Sequence, residues 1–249
     1  MVDLHDVLTR IHARVARYRR EIVPGREIAE SIEIDRLICP LRYDLCVRIE
    51  FIRLLRDEWS LYTEDLDRFL DRPESRAYAV WYRDIACARY MPEIYRDAAR
   101  FKPAFINRVH ETARLWQSID RNGYDPSTPI RLASGRSIRG VNGKTIEATY
   151  FAADGCHRMS CLYLTGQTRL EPEHYEVEIH RSFEPLDNTA MLIDRLPLDR
   201  TTYLRFVSGF YCSGMMFESP EEILEHVALK RARLLPELKS VLAFDLARI

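Results

Sequence analysis

Five consecutive residues, Asp154, Gly155, Cys156, His157 and Arg158, bring together a carboxylate, a glycine, a thiol, an imidazole and a guanidinium. Before them, Thr145 to Ala153 alternates as a β-branched and aromatic strand; after them, Met159, Leu162 and Tyr163 form a helical face that Gly166 terminates. The five therefore fall where a strand hands over to a helix. There the first backbone N–H groups of the helix lack intrahelical acceptors and share the positive end of its dipole. A phosphate suits that place, with Gly155 allowing close backbone approach and His157 and Arg158 adding side-chain donors. Asp154, at the strand end, can orient a magnesium ion or accept a proton from a hydroxyl nucleophile. Cys156, at a helix start beside Arg158, gains thiolate character if it is exposed. The same letters also make an ordinary Asp-Gly turn with a backbone-bonded histidine and a buried cysteine, and spacing does not choose between the two.

Other polar residues lie within reach of such a turn. Arg108 and His110 flank a helix start and can meet phosphates, although solvated positions would read the same. Glu111 and Glu147 are substitutes for a catalytic base, and both are equally suited to surface or capping roles. Arg131, Arg136, Arg139 and Lys144 form a basic scatter that can close over a nucleotide or simply rim a sheet.

The elements that must position these groups follow from periodicity. Leu4, Val7, Leu8, Ile11, Val15 and Tyr18 make an amphipathic helix behind Asp3, stopped by Pro24-Gly25. A second stripe, Leu45, Ile49, Ile52 and Leu55, follows Pro40; a third run, Glu74 to Tyr90, presents Tyr78, Trp81, Tyr82 and Ile85. Val109, Ala113, Trp116 and Ile119 mark a helix from about Ile106 to Arg121, closed by Asn122-Gly123. Strand grammar then takes over: Pro129 to Leu132, a turn at Ser134-Gly135-Arg136, an extended piece at Ile138, a hairpin turn at Asn142-Gly143, and Tyr175, Val177 and Ile179 beyond the helix. Helices return with Asp199 capping Tyr203 to Tyr211, the capping-box pair Ser219 and Glu222, and a last segment from Pro236 to Phe244. Phe206 to Phe217 reads as core packing, with a substrate pocket or dimer contact as the alternative.

An α+β fold is therefore expected: a helical region over 1–105, a small mixed-sheet core over 106–182 and a helical region over 183–249 packed on that core. The apolar fraction of 47% suits a globular chain, and a net charge of -1 gives no general attraction to nucleic acid or an anionic membrane. Met1 to Arg20 lacks the uninterrupted apolar stretch of a signal peptide. Six scattered cysteines without a C-x-x-C pair point to free thiols in a reducing, cytoplasmic setting.

The span from about Arg108 to Ile179 resembles the ParB/sulfiredoxin-like superfamily. The likeness is carried by Ser118-Ile119, Asn122-Gly123, Pro129-Ile130, Ala153 to Arg158 and Gly166, under a third of the chain. The resemblance implies a nucleotide-phosphate pocket at the Asp154 to Arg158 turn, and three branches compete for it. The free amino-acid kinase branch has Asp-Gly-His-His-Arg, from which only Cys156 departs. Sulfiredoxin has Gly-Gly-Cys-His-Arg, from which Asp154 departs. The chromosome-partitioning branch reads CTP and DNA, but this chain's near-neutral charge and lack of a basic recognition helix argue against it. The kinase branch carries a catalytic acid ahead of the first helix, and Arg100 to Phe105 contains none here.

What the resemblance implies is thus an ATP- or ADP-dependent phosphotransferase acting on the hydroxyl of a small metabolite or sugar-like acceptor. Its candidate catalytic residues are Asp154, His157 and Cys156, with Gly155, Cys156, His157, Arg158 and Arg108 on the nucleotide and Asp154 on Mg2+. The alternatives are ATP-dependent sulfinic acid reduction at Cys156 and a non-catalytic nucleotide-binding module of regulatory or DNA-partitioning-like type. The flanking helices can wall an acceptor pocket or serve as docking surfaces in a homo-oligomer.

Overall fold

The structure, a computed structural model, describes residues 21–136, 138–144, 146 and 148–249. The helix expected over Leu4 to Tyr18, together with Thr145 and Glu147, lies outside the described residues. The architecture is mixed α+β: a small sheet surrounded by helices.

Four strands form the sheet in the order β1-β6-β3-β4: β1 (Glu21–Pro24), β3 (Ile130–Gly135), β4 (Phe151–Asp154) and β6 (Tyr175–His180). β3 and β6 run parallel, with Leu132 opposite Val177, while β1 and β4 pair antiparallel along the two edges. A second, two-stranded pairing joins β2 (Ile32–Glu33) to β5 (Arg169–Leu170). Two expectations are corrected here. The first hundred residues are not all helical, because Glu21–Pro24 adds a strand to the edge of β6; Pro24-Gly25 ends that strand instead of a helix. Ser134-Gly135 is not a turn but the end of β3, held in register with Ile179 and His180.

The long helices obey their stripes. In α1 (Tyr43–Asp57), Leu45, Ile49, Ile52 and Leu55 are buried at steps of four and three, each contributing roughly 1.5–3 kcal/mol by leaving water. The run expected from Glu74 to Tyr90 is interrupted: α2 (Pro73–Trp81) passes into a π-helical segment, Tyr82–Cys87, before a short turn at Ala88–Tyr90. α3 (Ala98–Asn122) starts about two turns earlier than Ile106, since the Asp97 carboxylate accepts from Ala99 N at 2.9 Å; Pro103 lies inside it. α4 (Cys156–Leu164) follows β4 through Gly155 and packs against α1 and α3. The C-terminal part comprises α5 (Asn188–Ile193), α6 (Arg200–Tyr211), α7 (Pro220–Lys230) and α8 (Leu235–Leu246); α6 is capped by Asp199 and α7 by Ser219, as the sequence predicts.

One apolar core runs from Ile32 to Leu192 and unites α1 to α4 with β3 and β6. A second gathers α6, α7 and α8, with Phe206 and Tyr211 buried in it, while Met215 and Met216 are exposed. Between them, Cys39, Leu41, Ile146, Phe151 and Val241 form a bridging cluster. That cluster explains why the strand expected from Thr145 shrinks to Phe151–Asp154. Ile146 turns its side chain into the bridge, while Lys144 is drawn to carboxylates in the C-terminal part. Among the described residues no helix is long and apolar enough to cross a membrane.

Candidate functional site

A cleft of about 1070 Å3 opens at the β4-α4 turn, bounded by α1, α2, α3, β6 and the start of α5. Gly155, at φ 74°, occupies the left-handed region that favours glycine, and no side chain caps α4. The first N–H groups of this nine-residue helix lack intrahelical acceptors, and Gly155 to Arg158 line the cleft. Asp154 is exposed at the mouth, and one of its oxygens accepts from Gly155 N at 2.7 Å.

His157 lines the cleft, and its tautomer follows from its neighbours. Thr112 Oγ1 donates to the Arg108 carbonyl at 2.9 Å, which commits its only proton. Thr112 must then accept from Tyr78 Oη at 2.9 Å, and Tyr78, its proton spent, must accept from His157 Nε2 at 2.7 Å. The lone pair is left on Nδ1 of a ring that lines the cleft. Burial, reinforced by the charges of Arg48 and Arg108, pushes the imidazole well below its ordinary pKa. Neutral His157 thus offers an acceptor to the cleft. Its one N–H is committed to Tyr78, so it does not bring a phosphate the side-chain donor expected of it.

Beneath the turn sits a charge cluster that apolar periodicity did not reveal. Asp44 is fully buried in the first turn of α1, where Arg42 Nε approaches it at 2.8 Å and Arg42 Nη2 at 3.0 Å; Arg48 Nη1 also bonds it. Burial alone would raise the Asp44 pKa, but Arg42 and Arg48 outweigh it and hold the carboxyl well below the usual carboxylate range. Arg42 also clamps the site from below, donating to the Ala152 carbonyl and, at 3.3 Å, to Cys156 Sγ. Arg48 stacks on Trp81, its guanidinium carbon 4.1 Å from the ring centroid. The visible signal was Arg42-x-Asp44-x-x-x-Arg48, which places Asp44 and Arg48 one helical turn apart.

The other expected residues divide. Arg108 lines the cleft with Glu111, its Nη1 at 3.2 Å from that carboxylate, and its Nε has no partner among the described residues. Arg158 borders the cleft but folds back over Gly155 and donates to the Thr128 carbonyl. Cys156 is 8% exposed, so the exposure its reactivity needed is not met. His110 lies elsewhere, bonded to Tyr62 Oη at 2.7 Å. The basic scatter does not converge on the cleft: Arg131 pairs with Glu176, Arg136 approaches Glu21 at 3.5 Å, Arg139 is exposed, and Lys144 is buried. Among the described residues no three His, Cys, Asp or Glu side chains gather at a metal-sized site. No family model matches the chain, and neither a curated protein nor a solved structure matches it.

Proposed function

We propose that the chain is an ATP- or ADP-dependent phosphotransferase with a ParB/sulfiredoxin-like core, acting on the hydroxyl of a small metabolite or sugar-like acceptor. One observation carries this reading: the uncapped N-terminus of α4, left-handed Gly155 and the unpartnered Nε edge of Arg108 all border one cleft. Each supplies donors that need oxygen acceptors, and phosphate oxygens are the acceptors such sites take. The cleft, at about 1070 Å3, has room for a nucleotide and a small second substrate.

When bound, a nucleotide with Mg2+ supplies the transferable terminal phosphoryl group. Mg2+ usually takes only one or two protein carboxylates, with phosphates and waters completing its shell. Exposed Asp154 fits as that ligand. Arg108 and the α4 N–H groups stay fixed to meet charge on the phosphoryl oxygens. His157 Nδ1, oriented by the hydrogen bond to Tyr78, is placed to accept a hydrogen bond from the acceptor hydroxyl and align its oxygen, while the neighbouring guanidiniums oppose full protonation of the ring. Buried Cys156, its sulfur engaged by Arg42, supports phosphoryl transfer better than sulfinic acid reduction, which needs the sulfur to meet a protein partner.

Calorimetry with ATP, ADP and CTP, with and without magnesium, tests the reading. Magnesium-dependent binding of ATP or ADP is expected, weakened about tenfold or more by Arg108→Ala. In a mixed-metabolite screen, phosphate transfer should survive Cys156→Ser and vanish in Asp154→Asn. A folded protein that binds none of the three nucleotides overturns the proposal; binding without transfer would mark a non-catalytic nucleotide-binding module.

A further inference from the structure

Behind the turn, the floor of the cleft carries three polar atoms with no hydrogen-bond partner among the described residues: Arg48 Nε, Trp81 Nε1 and Asn188 Oδ1. Their residues are 8%, 4% and 6% exposed, so all three side chains are more than nine-tenths buried. Leaving such groups unsatisfied costs about 1–3 kcal/mol each, and three together around one cavity need a common explanation.

Asp44 is their shared anchor. It binds Arg48 Nη1 and the side chain of Asn188, while Trp81 lies under the Arg48 guanidinium. Since the amide of Asn188 must donate to that carboxylate, its Oδ1 is left over as an acceptor. Asp44 thereby fixes the inner edges of Arg48 and Asn188 and leaves their outer edges for something else. Charge points the same way. Two buried guanidiniums, Arg42 and Arg48, share the single carboxylate of Asp44, so this cluster of three carries one net positive charge, while the buried carboxylate of Glu178 lines the same cleft.

We infer that this floor is a subsite for a small hydroxylated carboxylic acid lacking an ammonium group. Its carboxylate takes the Arg48 Nε–H and Trp81 Nε1–H donors, and one hydroxyl donates to Asn188 Oδ1. An ammonium group is disfavoured by the same surplus positive charge that attracts the carboxylate. That this acid serves as the phosphoryl acceptor rests on the function proposed above; that it binds does not.

Calorimetry on the full chain separates the two. The probes are glycerate, tartrate and gluconate, compared with glycerol, which lacks the carboxylate, and serine, which adds an ammonium. At least one of the three acids should bind tenfold or more tightly than glycerol and serine. Trp81→Phe keeps an aromatic ring in the core but removes the N–H together with part of the buried indole, so it should weaken that acid about tenfold while lowering the melting temperature by only a few degrees. A merely structural tryptophan would not divide the two measurements in this way. If the acids bind no better than glycerol and serine, or if Trp81→Phe binds the preferred acid as well as wild type, the subsite is refuted. MgATP is titrated separately. Nucleotide binding without acid preference overturns the subsite alone, whereas acid preference without nucleotide binding upholds the subsite and overturns the phosphotransferase reading.

Discussion

His157 shows how a residue's role is set by its partners and not by its type. The relay from Nε2–H through Tyr78 and Thr112 to the Arg108 carbonyl ties the imidazole to α2 and α3, and the two nearby guanidiniums oppose its protonation. Its folded pKa lies below the unfolded value of about 6.5, so as pH falls the unfolded state takes up the proton first. The stability contributed by keeping His157 neutral is present above about pH 6.5 and is lost as pH drops toward the folded value. Asp44, held low by its arginines, loses its contribution only below the carboxylate range near pH 4, which leaves the interval between separable. Thermal melts from pH 7 to pH 5 should therefore show a falling Tm for the wild type and a shallower fall for His157→Gln. Parallel curves would mean that the ring is not held neutral.

At the scale of elements, the Val141-Lys144 hairpin decides how the cleft floor is held. Asn142 and Gly143, at φ 52° and 78°, form the tight turn that Asn-Gly predicts, and Ser240 Oγ donates to the Gly143 carbonyl at 2.6 Å. This turn inserts Lys144, fully buried, between Asp187 at 3.0 Å and Asp245 at 2.6 Å. Asp187 caps α5 through Ala190 N, and Asn188 beside it faces the cleft, so one helix start serves both the buried ion cluster and the floor. Lys144→Met would strand two buried carboxylates and should cost about 3–5 kcal/mol in chemical denaturation. Adding Asp245→Asn should recover part of that loss. The turn itself was legible because Asn-Gly has few other uses, and α1, α3 and α4 were legible because their stripes are local. Lys144 was not, since its alternation fits a strand and its partners lie over 40 residues away in sequence. Nor was Arg42-Asp44-Arg48, because a charged helix start reads as solvated until the chain folds Ala152 and Cys156 onto it. The π-helical Tyr82–Cys87 segment leaves no mark in an α-type period that continues on either side.

For the whole molecule, the question is whether the cleft belongs to one cooperative unit. Its walls are drawn from Arg42, just ahead of α1, through Asn188 on α5, so no contiguous segment of the chain builds it. Leu192, on α5, belongs to the apolar core that holds α1 to α4, while Ile38 and Tyr43, ahead of and within α1, pack against the C-terminal core. The bridging cluster ties Phe151 on β4 to Val241 on α8. Residues 21–105, 106–182 and 183–249 thus share apolar clusters across the expected boundaries, and burying one another's apolar faces should make them unfold together. The tryptophans provide the test, because Trp59, Trp81 and Trp116 all belong to or pack against the first core and none lies in α6 to α8, so they report on that core. Far-UV circular dichroism weighs every helix, including α6 to α8. Denaturant curves from tryptophan fluorescence and circular dichroism should superimpose, and a ligand that fills the cleft should shift both midpoints equally, since it binds only the state in which all the walls are assembled. Two resolved transitions, with fluorescence changing at a different denaturant concentration from the bulk of the helix signal, would show instead that the C-terminal helices fold as a separate body and that α5 merely docks on the cleft.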